Sequence, residues 1–364
     1  MKKVCLIIIA FCIININVCA YGVDDVLNDE MQDNIINSFE ASGIECDAIE
    51  LIDKLNQGEF NVGFKEAGKY IKTLLVNLLK ENIGFGLTAF VLIILASMIE
   101  NVKFGESNAV NVIVLSIVSL SLVGVVNKVS EGTVQFIDNL MLFVNSYTPT
   151  LMMLLATSGK AVTTGILNPV MIAVSSIIVI IVKNFLIPLN IISFVLKLTG
   201  CITQKNHLTN FGEQIQKILK WSLGLMVTLY VGIVAIIGVS APKIDAMSIK
   251  TAKYAISNFV PYVGGMVADS VELILACSSV VKNSTGIVGL IGVLILAIGP
   301  CVNVLIKMLV LNLLSFFAAP VARKNTIESI NSVSSCVGIF FAVNIMVAVM
   351  YIISVTVIIF IGGA

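Results

Sequence analysis

The sequence is poor in charged residues and in histidine, and both shortages restrict what the protein can be. Only 12% of its 364 residues are charged, whereas 58% are hydrophobic. Globular domains usually carry about a quarter charged residues, so a soluble fold is nearly excluded. The single histidine, His207, has no metal-ligand spacing around it, and the sequence contains no phosphate-binding loop or nucleophile elbow. We therefore expect no enzymatic activity, no cofactor and no nucleic-acid partner.

The first twenty residues have the pattern of a secretory signal peptide. Two lysines precede the apolar run Val4–Ile14, and small residues end the segment at Ala20. We predict a signal peptide over residues 1–20, with an uncleaved signal anchor as the alternative. After cleavage, the exported region would keep one cysteine, Cys46, which excludes a disulfide framework there.

Residues 21–66 form an acidic segment that the signal peptide would export. Asp24–Glu66 contains twelve of the twenty-two acidic residues and only two lysines. Apolar residues recur at every fourth position, which predicts one face of a helix. This face is either the core of a small helical domain, which we favour, or a surface for a partner. Its residues are Leu27, Met31, Ile35 and Phe39.

The rest of the chain predicts an all-α fold, a polytopic helical membrane protein. Residues 67–82 predict an interfacial amphipathic helix, because a leucine-rich face is backed by lysines. Across 83–364, apolar runs long enough to cross a bilayer alternate with short polar joints, which predicts about seven to ten crossing elements. The candidate spans are Ile83–Ile99, Val110–Val126, Phe136–Thr157, Gly165–Val182, Phe185–Gly200, Trp221–Val239, Gly286–Gly299, Val302–Ala319 and Cys336–Ile361.

Proline is expected to break some of these runs into hairpins. Pro188 and Pro300 each lie near a predicted turn, and each predicted hairpin leads through a basic loop into a long span. The segments Asn168–Gly238 and Gly286–Gly363 therefore resemble a weak internal repeat. Generic membrane hairpins explain this likeness at least as well as functional pseudosymmetry does.

The stretch Asp245–Gly286 is the richest in polar chemistry. Proline and paired glycine break a helix, and the freed backbone groups need protein or water partners at membrane depth. Two carboxylates three residues apart share a helical face and are costly there unless paired or hydrated. A structural ion pair is the alternative to a functional lining. The candidates for a polar lining or gate are Pro261, Gly264, Gly265, Asp269, Glu272 and Lys282, with Lys250 and Lys253 as counter-charges.

Several short motifs in and around this stretch carry a family resemblance. They are the run Lys250–Tyr254, the run Val260–Gly265, Asp269, Cys277, Lys282-Asn283, Gly286 and Gly299-Pro300, with Asn168-Pro169 and Leu186–Leu189 before them. In this order they resemble the stage III sporulation protein AE family. The resemblance covers essentially the whole chain, and its specific part is Asp245–Pro300.

The resemblance implies a sporulation protein in the mother-cell membrane that surrounds the forespore, with its head in the intermembrane space. It also implies partners, namely the other stage III A proteins, including a secretion-type ATPase, and the forespore's stage II protein Q, in a channel-like complex that sustains the forespore. It supplies no catalytic residues. Two other functions are compatible with the residues: an independent secondary transporter that uses its carboxylates for coupling, and a platform that assembles other subunits without conducting.

Overall fold

The computed structural model describes most of the membrane body of the chain. Side chains are not described at 108–114, 238–244, 248, 252–285, 288, 362 and 363. The predicted signal peptide and acidic head lie outside the described residues, and the predicted interfacial segment 67–82 is described only at four helical positions. The described residues are 76, 78, 80, 82–84, 86–91, 94, 108–203, 206–259, 264–320 and 322–363.

Long helices make up the described chain, which contains no strand among those residues. They are α1 (Asn108–Thr157), α2 (Ala161–Ile181), a π-helical turn (Val182–Leu186), α3 (Ile187–Thr203), α4 (Asn206–Phe259), α5 (Gly264–Ala318) and α6 (Lys324–Gly363). A shorter apolar helix, Asn82–Val91, precedes them. Within the described residues, five helices are long and apolar enough to cross a membrane, with α2, the π turn and α3 counting as one. The predicted all-α polytopic fold is confirmed.

The five helices run up and down and leave two distinct ends. At what we call the turn end, Gly159 has a φ of 83° and closes the tight connection from α1 to α2, a backbone conformation that glycine adopts without strain. Lys160 in this turn donates a hydrogen bond from Nζ to the carbonyl of Ile361 near the end of α6. At the opposite joint end, Cys201 of α3 lies against the Ser329 hydroxyl at the start of α6.

Pro188 and Pro300, which lie near the predicted turns, do not break the chain into hairpins, so this part of the prediction is corrected. Pro149, Pro169 and Pro300 lie inside α1, α2 and α5, which continue through them. Pro188 follows directly on the π turn Val182–Leu186, within a helix that continues to Thr203. A proline removes one backbone donor and crowds the carbonyl four residues earlier, and a wider π turn accommodates that crowding. In a membrane bundle, neighbouring helices stabilise helices of this kind.

Several predicted spans are therefore halves of one helix. Val110–Val126 and Phe136–Thr157 both belong to α1, and Gly286–Gly299 and Val302–Ala319 both belong to α5. In the same way, Gly165–Val182 and Phe185–Gly200 are parts of one helix that turns through the π segment. The polar residues between the halves are helical. The hydropathy pattern wrongly predicts them to be connections between separate spans. The predicted repeat segments correspond to two helical hairpins whose connections share the joint end.

The bundle is apolar both inside and outside. A continuous core links all of these helices and includes fully buried aromatic residues such as Phe143, Tyr147 and Phe340. Large apolar side chains also face outward, among them Leu120, Trp221 and Phe316, each at least 70% exposed. An outer surface of this kind is solvated by lipid chains. Polar groups within the bundle therefore stand out as candidate functional sites.

Candidate functional site

The structure places the predicted polar segment at the α4–α5 end of the bundle. Pro261 lies outside the described residues, between the end of α4 and the start of α5. Gly264 and Gly265 open α5, Asp269 and Glu272 follow within its first three turns, and Lys282 lies about five turns from its start. Lys250 is exposed near the end of α4, and Lys253 is helical in the same segment. The role of these residues as a lining or gate stays a prediction.

A second polar region, which we call the mid-depth cleft, lies between α1, α5, α6 and the residues before the short helix Asn82–Val91. It has a volume of about 250 Å³. Its apolar and glycine lining is interrupted by six polar side chains. The lining residues are Leu78, Lys128, Val129, Gly132, Gln135, Phe136, Asn139, Gly299, Pro300, Asn303, Val304, Lys307 and Asn344.

The cleft lies halfway along each helix that forms it. Its α1 residues fall near the middle of the span Leu115–Thr157, and its α5 residues near the middle of Gly289–Ala318. Asn344 falls at the middle of Lys324–Ile361 on α6. Because the hydrocarbon core is about 30 Å thick and these helices are longer than that, their midpoints lie deep in the membrane. Asp269 is roughly eight helical turns from Gly299 along α5.

Asn344 is the most unusual residue of the cleft. Its side chain is fully buried, and neither its amide nitrogen nor its amide oxygen has a hydrogen-bond partner among the described residues. A buried amide without partners costs about 1–3 kcal/mol relative to a satisfied one. Such a cost persists in native structures mainly where the group serves a ligand, a water or a conformational change. Asn344 therefore marks the cleft as a site.

Two lysines line the cleft. They are Lys128 on α1 and Lys307 on α5, and no acidic residue occurs among the described residues that line it. Lys128 is exposed and Lys307 is half-buried. Ionisable side chains at membrane depth are costly and commonly mark ion or substrate pathways. The cleft thus combines cations with amide groups on otherwise apolar helices.

The chain before α1 contributes to one wall of the cleft. Asn82 donates from Nδ2 to Asn303 Oδ1 at 3.1 Å and to the carbonyl of Leu78 at 2.7 Å. The short helix can approach α5 closely because a Cβ at Gly86 would stand 2.8 Å from Val310 Cγ1. Glycine permits this backbone approach between membrane helices. The wall is therefore tied to a lining residue by a direct amide contact.

A different polar cluster lies at the turn end, and we call it the capping cluster. Asp245 of α4 accepts hydrogen bonds at 2.9 Å from the backbone N–H groups of Val162 and Thr163, and a further bond from the Thr163 hydroxyl. These N–H groups open α2 and have no helical partner of their own. Lys160, at the N-cap position, makes no side-chain cap bond. Burial lowers the pKa of Lys160, while the nearby Asp245 carboxylate opposes that shift.

Another charged pair lies near mid-depth on the outer face. Lys183 of the π turn donates to both carboxylate oxygens of Asp138 on α1, at 2.6 and 2.9 Å. The two side chains are 31% and 48% exposed, so the pair is open to the surroundings of the bundle. The direct contact neutralises both charges.

Sequence reasoning did not identify the cleft as a site. The available signal was the position of polar residues inside apolar runs. Lys128, Gln135 and Asn139 recur at helical spacing on α1, and Asn303 and Lys307 do so on α5. Such spacing places side chains on one face of a helix. That the faces of α1, α5 and α6 meet is visible only in the fold.

The fold and the cleft define a class: a multi-pass helical membrane protein with a polar site halfway along its bundle. The family model of stage III sporulation protein AE matches residues 46–362, and the chain belongs to this family. The family resemblance of the motifs is thereby confirmed. A curated relative named stage III sporulation protein AE, from Bacillus subtilis (strain 168), is 27% identical over 227 residues. The alignment covers 62% of this chain and 57% of the relative's length. No solved structure matches the chain.

Proposed function

We propose that this stage III sporulation protein is a membrane component of a multi-protein, channel-like complex that links mother cell and forespore and is needed for forespore development. Family membership supports a role in sporulation, and the five apolar helices support a place in the membrane. In this proposal the chain resides in the mother-cell membrane around the forespore, with its N-terminal head exported. The protein acts by assembly and passage rather than by catalysis.

The proposed partners follow from the same assignment. They are the other stage III A proteins, including a secretion-type ATPase, and the forespore's stage II protein Q complex. An acidic head in the intermembrane space would be accessible to the exported parts of such partners. The membrane body would supply the passage or its gate.

The mid-depth cleft is the observation that carries this proposal. A structural platform has no need for a buried amide without hydrogen-bond partners, since an apolar residue of similar size would fold more stably there. Asn344 carries this energetic cost at the middle of the bundle, in a cleft that two lysines also line. A polar site at this depth suits a membrane passage.

The test replaces Asn344 with leucine, which has a similar volume and needs no hydrogen bond. We expect Asn344→Leu to lower the yield of heat-resistant spores strongly while the protein remains at its normal level in the membrane. The matched control is Asn331→Leu, a residue of the same helix whose Oδ1 accepts from the Ser315 hydroxyl at 2.8 Å near the joint end. Normal spore yield with Asn344→Leu at wild-type protein level would refute a functional cleft.

An independent secondary transporter is the second candidate, because the cleft also lies at a depth that suits a substrate site. Transporters place substrate sites near the midplane of the bilayer. Uptake of a solute by vesicles that contain this chain alone would support the transporter, whereas uptake only with partner proteins would support the complex.

A non-conducting assembly platform makes a different prediction about the carboxylates of α5. If Asp269 and Glu272 line a passage, Asp269→Ala combined with Glu272→Ala blocks spore formation at unchanged protein level. If they are structural, the amide pair Asp269→Asn and Glu272→Gln is tolerated. Loss of sporulation with the alanine pair but a depleted protein would also place them in the structure.

A further inference from the structure

We propose that a second copy of this chain packs against the outward face of α1, so that two copies form a dimer around their Asp138–Lys183 pairs. This contact lies beyond the proposed function, whose partners are other proteins. Three observations support it: the polarity of the face, the depth and exposure of the charged pair, and the way in which the pair complements itself.

The outward face of α1 is polar where it passes through the middle of the bundle. Between residues 127 and 146, all of which the structure describes, Leu142 is the only large apolar residue of α1 that is exposed. The outward face of α4 is different, because between Trp221 and Ile236, which are also fully described, it exposes six large apolar side chains and has no charged residue. Lipid chains solvate such an apolar face but cannot satisfy polar groups. Apart from the residues of the cleft, the exposed polar residues of α1 in this range are Asn127, Glu131, Asp138, Asn145 and Ser146.

The Asp138–Lys183 pair lies at the centre of this polar face. Asp138 is next to the middle of the span Leu115–Thr157, and Lys183 is next to the middle of the span Ala161–Thr203. Although the two side chains bond each other, they remain 48% and 31% exposed. Charged groups at membrane depth are costly where hydrocarbon surrounds them. A polar protein surface that covers the pair would lower this cost, whereas lipid chains would not.

The pair is complementary to itself, which points to a second copy as the occupant. Two copies inserted in the same direction can be related by a two-fold axis along the membrane normal, and such an interface places residue i against residue j and residue j against residue i. Asp138 on α1 and Lys183 on the π turn lie side by side at the same depth. The axis therefore places Asp138 opposite the partner's Lys183, and the four alternating charges form one network. The amides of Asn127 and Asn145 would hydrogen-bond across the same interface.

The first test is photo-cross-linking of the full chain in its membrane, in cells that contain two copies with different epitope tags. The photo-reactive amino acid benzoylphenylalanine replaces Leu142, which lies about one turn from Asp138 and is 46% exposed. The matched control carries the same probe in place of Leu229, a 57% exposed leucine on the apolar face of α4. We expect irradiation to give a covalent product with both tags from position 142 and none from position 229.

The second test exchanges charges between the two copies. One tagged copy carries Asp138→Lys and the other carries Lys183→Asp, and both carry the probe at position 142. Each variant repels a copy of itself across the two-fold axis, whereas the two variants attract each other. We expect cross-linking between the two variants to exceed cross-linking within either by about tenfold. The pair within each chain is lost in both variants, so this preference reports only on the contact between copies.

The proposal is overturned if the probe at position 142 attaches only to lipid or only to a different protein, or if position 229 gives the product with both tags equally well. It is also overturned if the two variants cross-link to each other no more than to themselves. If the charge variants do not reach the membrane, the comparison of positions 142 and 229 in the chain with native charges decides alone. The spore yield of Asn344→Leu does not enter these outcomes, so the dimer and the proposed function can fail separately.

Discussion

The capping cluster at the turn end and the mid-depth cleft use similar polar residues with opposite results. In the capping cluster, every carboxylate oxygen of Asp245 has a donor, and those donors are the N–H groups and hydroxyl that begin α2. In the cleft, the buried amide of Asn344 has no partner among the described residues. The described residues satisfy the carboxylate of the capping cluster, whereas they do not satisfy the Asn344 amide of the cleft.

This difference separates a structural role from a functional one. Burying a polar group stabilises a fold only when its partners are present, so a satisfied cluster such as that around Asp245 holds helices together. An unsatisfied group lowers stability and is kept for another reason. Changes in the capping cluster should therefore reduce stability, whereas replacement of the Asn344 amide in the cleft should reduce function alone.

The largest effect is expected for Asp245→Ala. The change removes the acceptor of the Val162 and Thr163 N–H groups and of the Thr163 hydroxyl. Hydrogen bonds to a charged group contribute about 1.5–3 kcal/mol each. Thermal unfolding of the purified chain in detergent should show the loss. Asp245→Asn is the matched control and should lose less, because its carbonyl still accepts one bond. Equal stability of Asp245→Ala and the native chain would remove the distinction between the two regions.

A smaller loss is expected for Thr163→Val in the same cluster. Valine keeps the shape of the buried side chain but removes the hydroxyl that donates to Asp245, and a hydrogen bond to a charged group contributes about 2 kcal/mol. Thr164→Val serves as the control, since the Thr164 hydroxyl bonds only the carbonyl of Lys160 in its own helix at 2.8 Å. Both variants can be compared by the same unfolding measurement. A larger loss for Thr164→Val would contradict the role of Asp245 as the cap of α2.

The comparison also shows what the sequence could predict. Long apolar runs predicted an all-α membrane protein, because lipid requires helices whose backbone groups are satisfied internally. The motifs of Asp245–Pro300 predicted the family. The predicted break between α4 and α5 also lies where the helices end, at Phe259 and Gly264.

Hydropathy failed where polar residues lie within a helix. Lys128 and Gln135 separate two apolar runs of α1, so a window of about twenty residues treats them as a joint. In the structure they line the cleft, which lets the helix continue through them. Pro300 was similarly interpreted as a turn, although α5 continues through it and it lines the same cleft. The predicted joints at these positions are thus parts of the site, and only the packing of α1, α5 and α6 shows it.

A further prediction concerns the contact between the short helix and the cleft. Asn82→Ala removes the amide that bonds Asn303 and should destabilise the chain by about 1 kcal/mol. The double variant Asn82→Ala with Asn303→Ala measures the coupling between the two residues. We expect the two losses to be less than additive in thermal unfolding, because each single change already removes the shared bond. Strictly additive losses would show that the contact does not connect this wall to the cleft.

The smallest effect on stability is expected for Asn344→Leu. This variant distinguishes the cleft from the capping cluster most directly. Since the Asn344 amide has no partner among the described residues to lose, leucine should leave the unfolding temperature unchanged or raise it slightly. Asn190→Leu is the matched control, because the equally buried Asn190 donates from Nδ2 to the carbonyl of Cys336 at 3.1 Å. Its loss should cost about 1 kcal/mol. If Asn344→Leu were the more destabilising of the two, Asn344 would have a partner in the folded chain, and the cleft would belong with the capping cluster as a structural region.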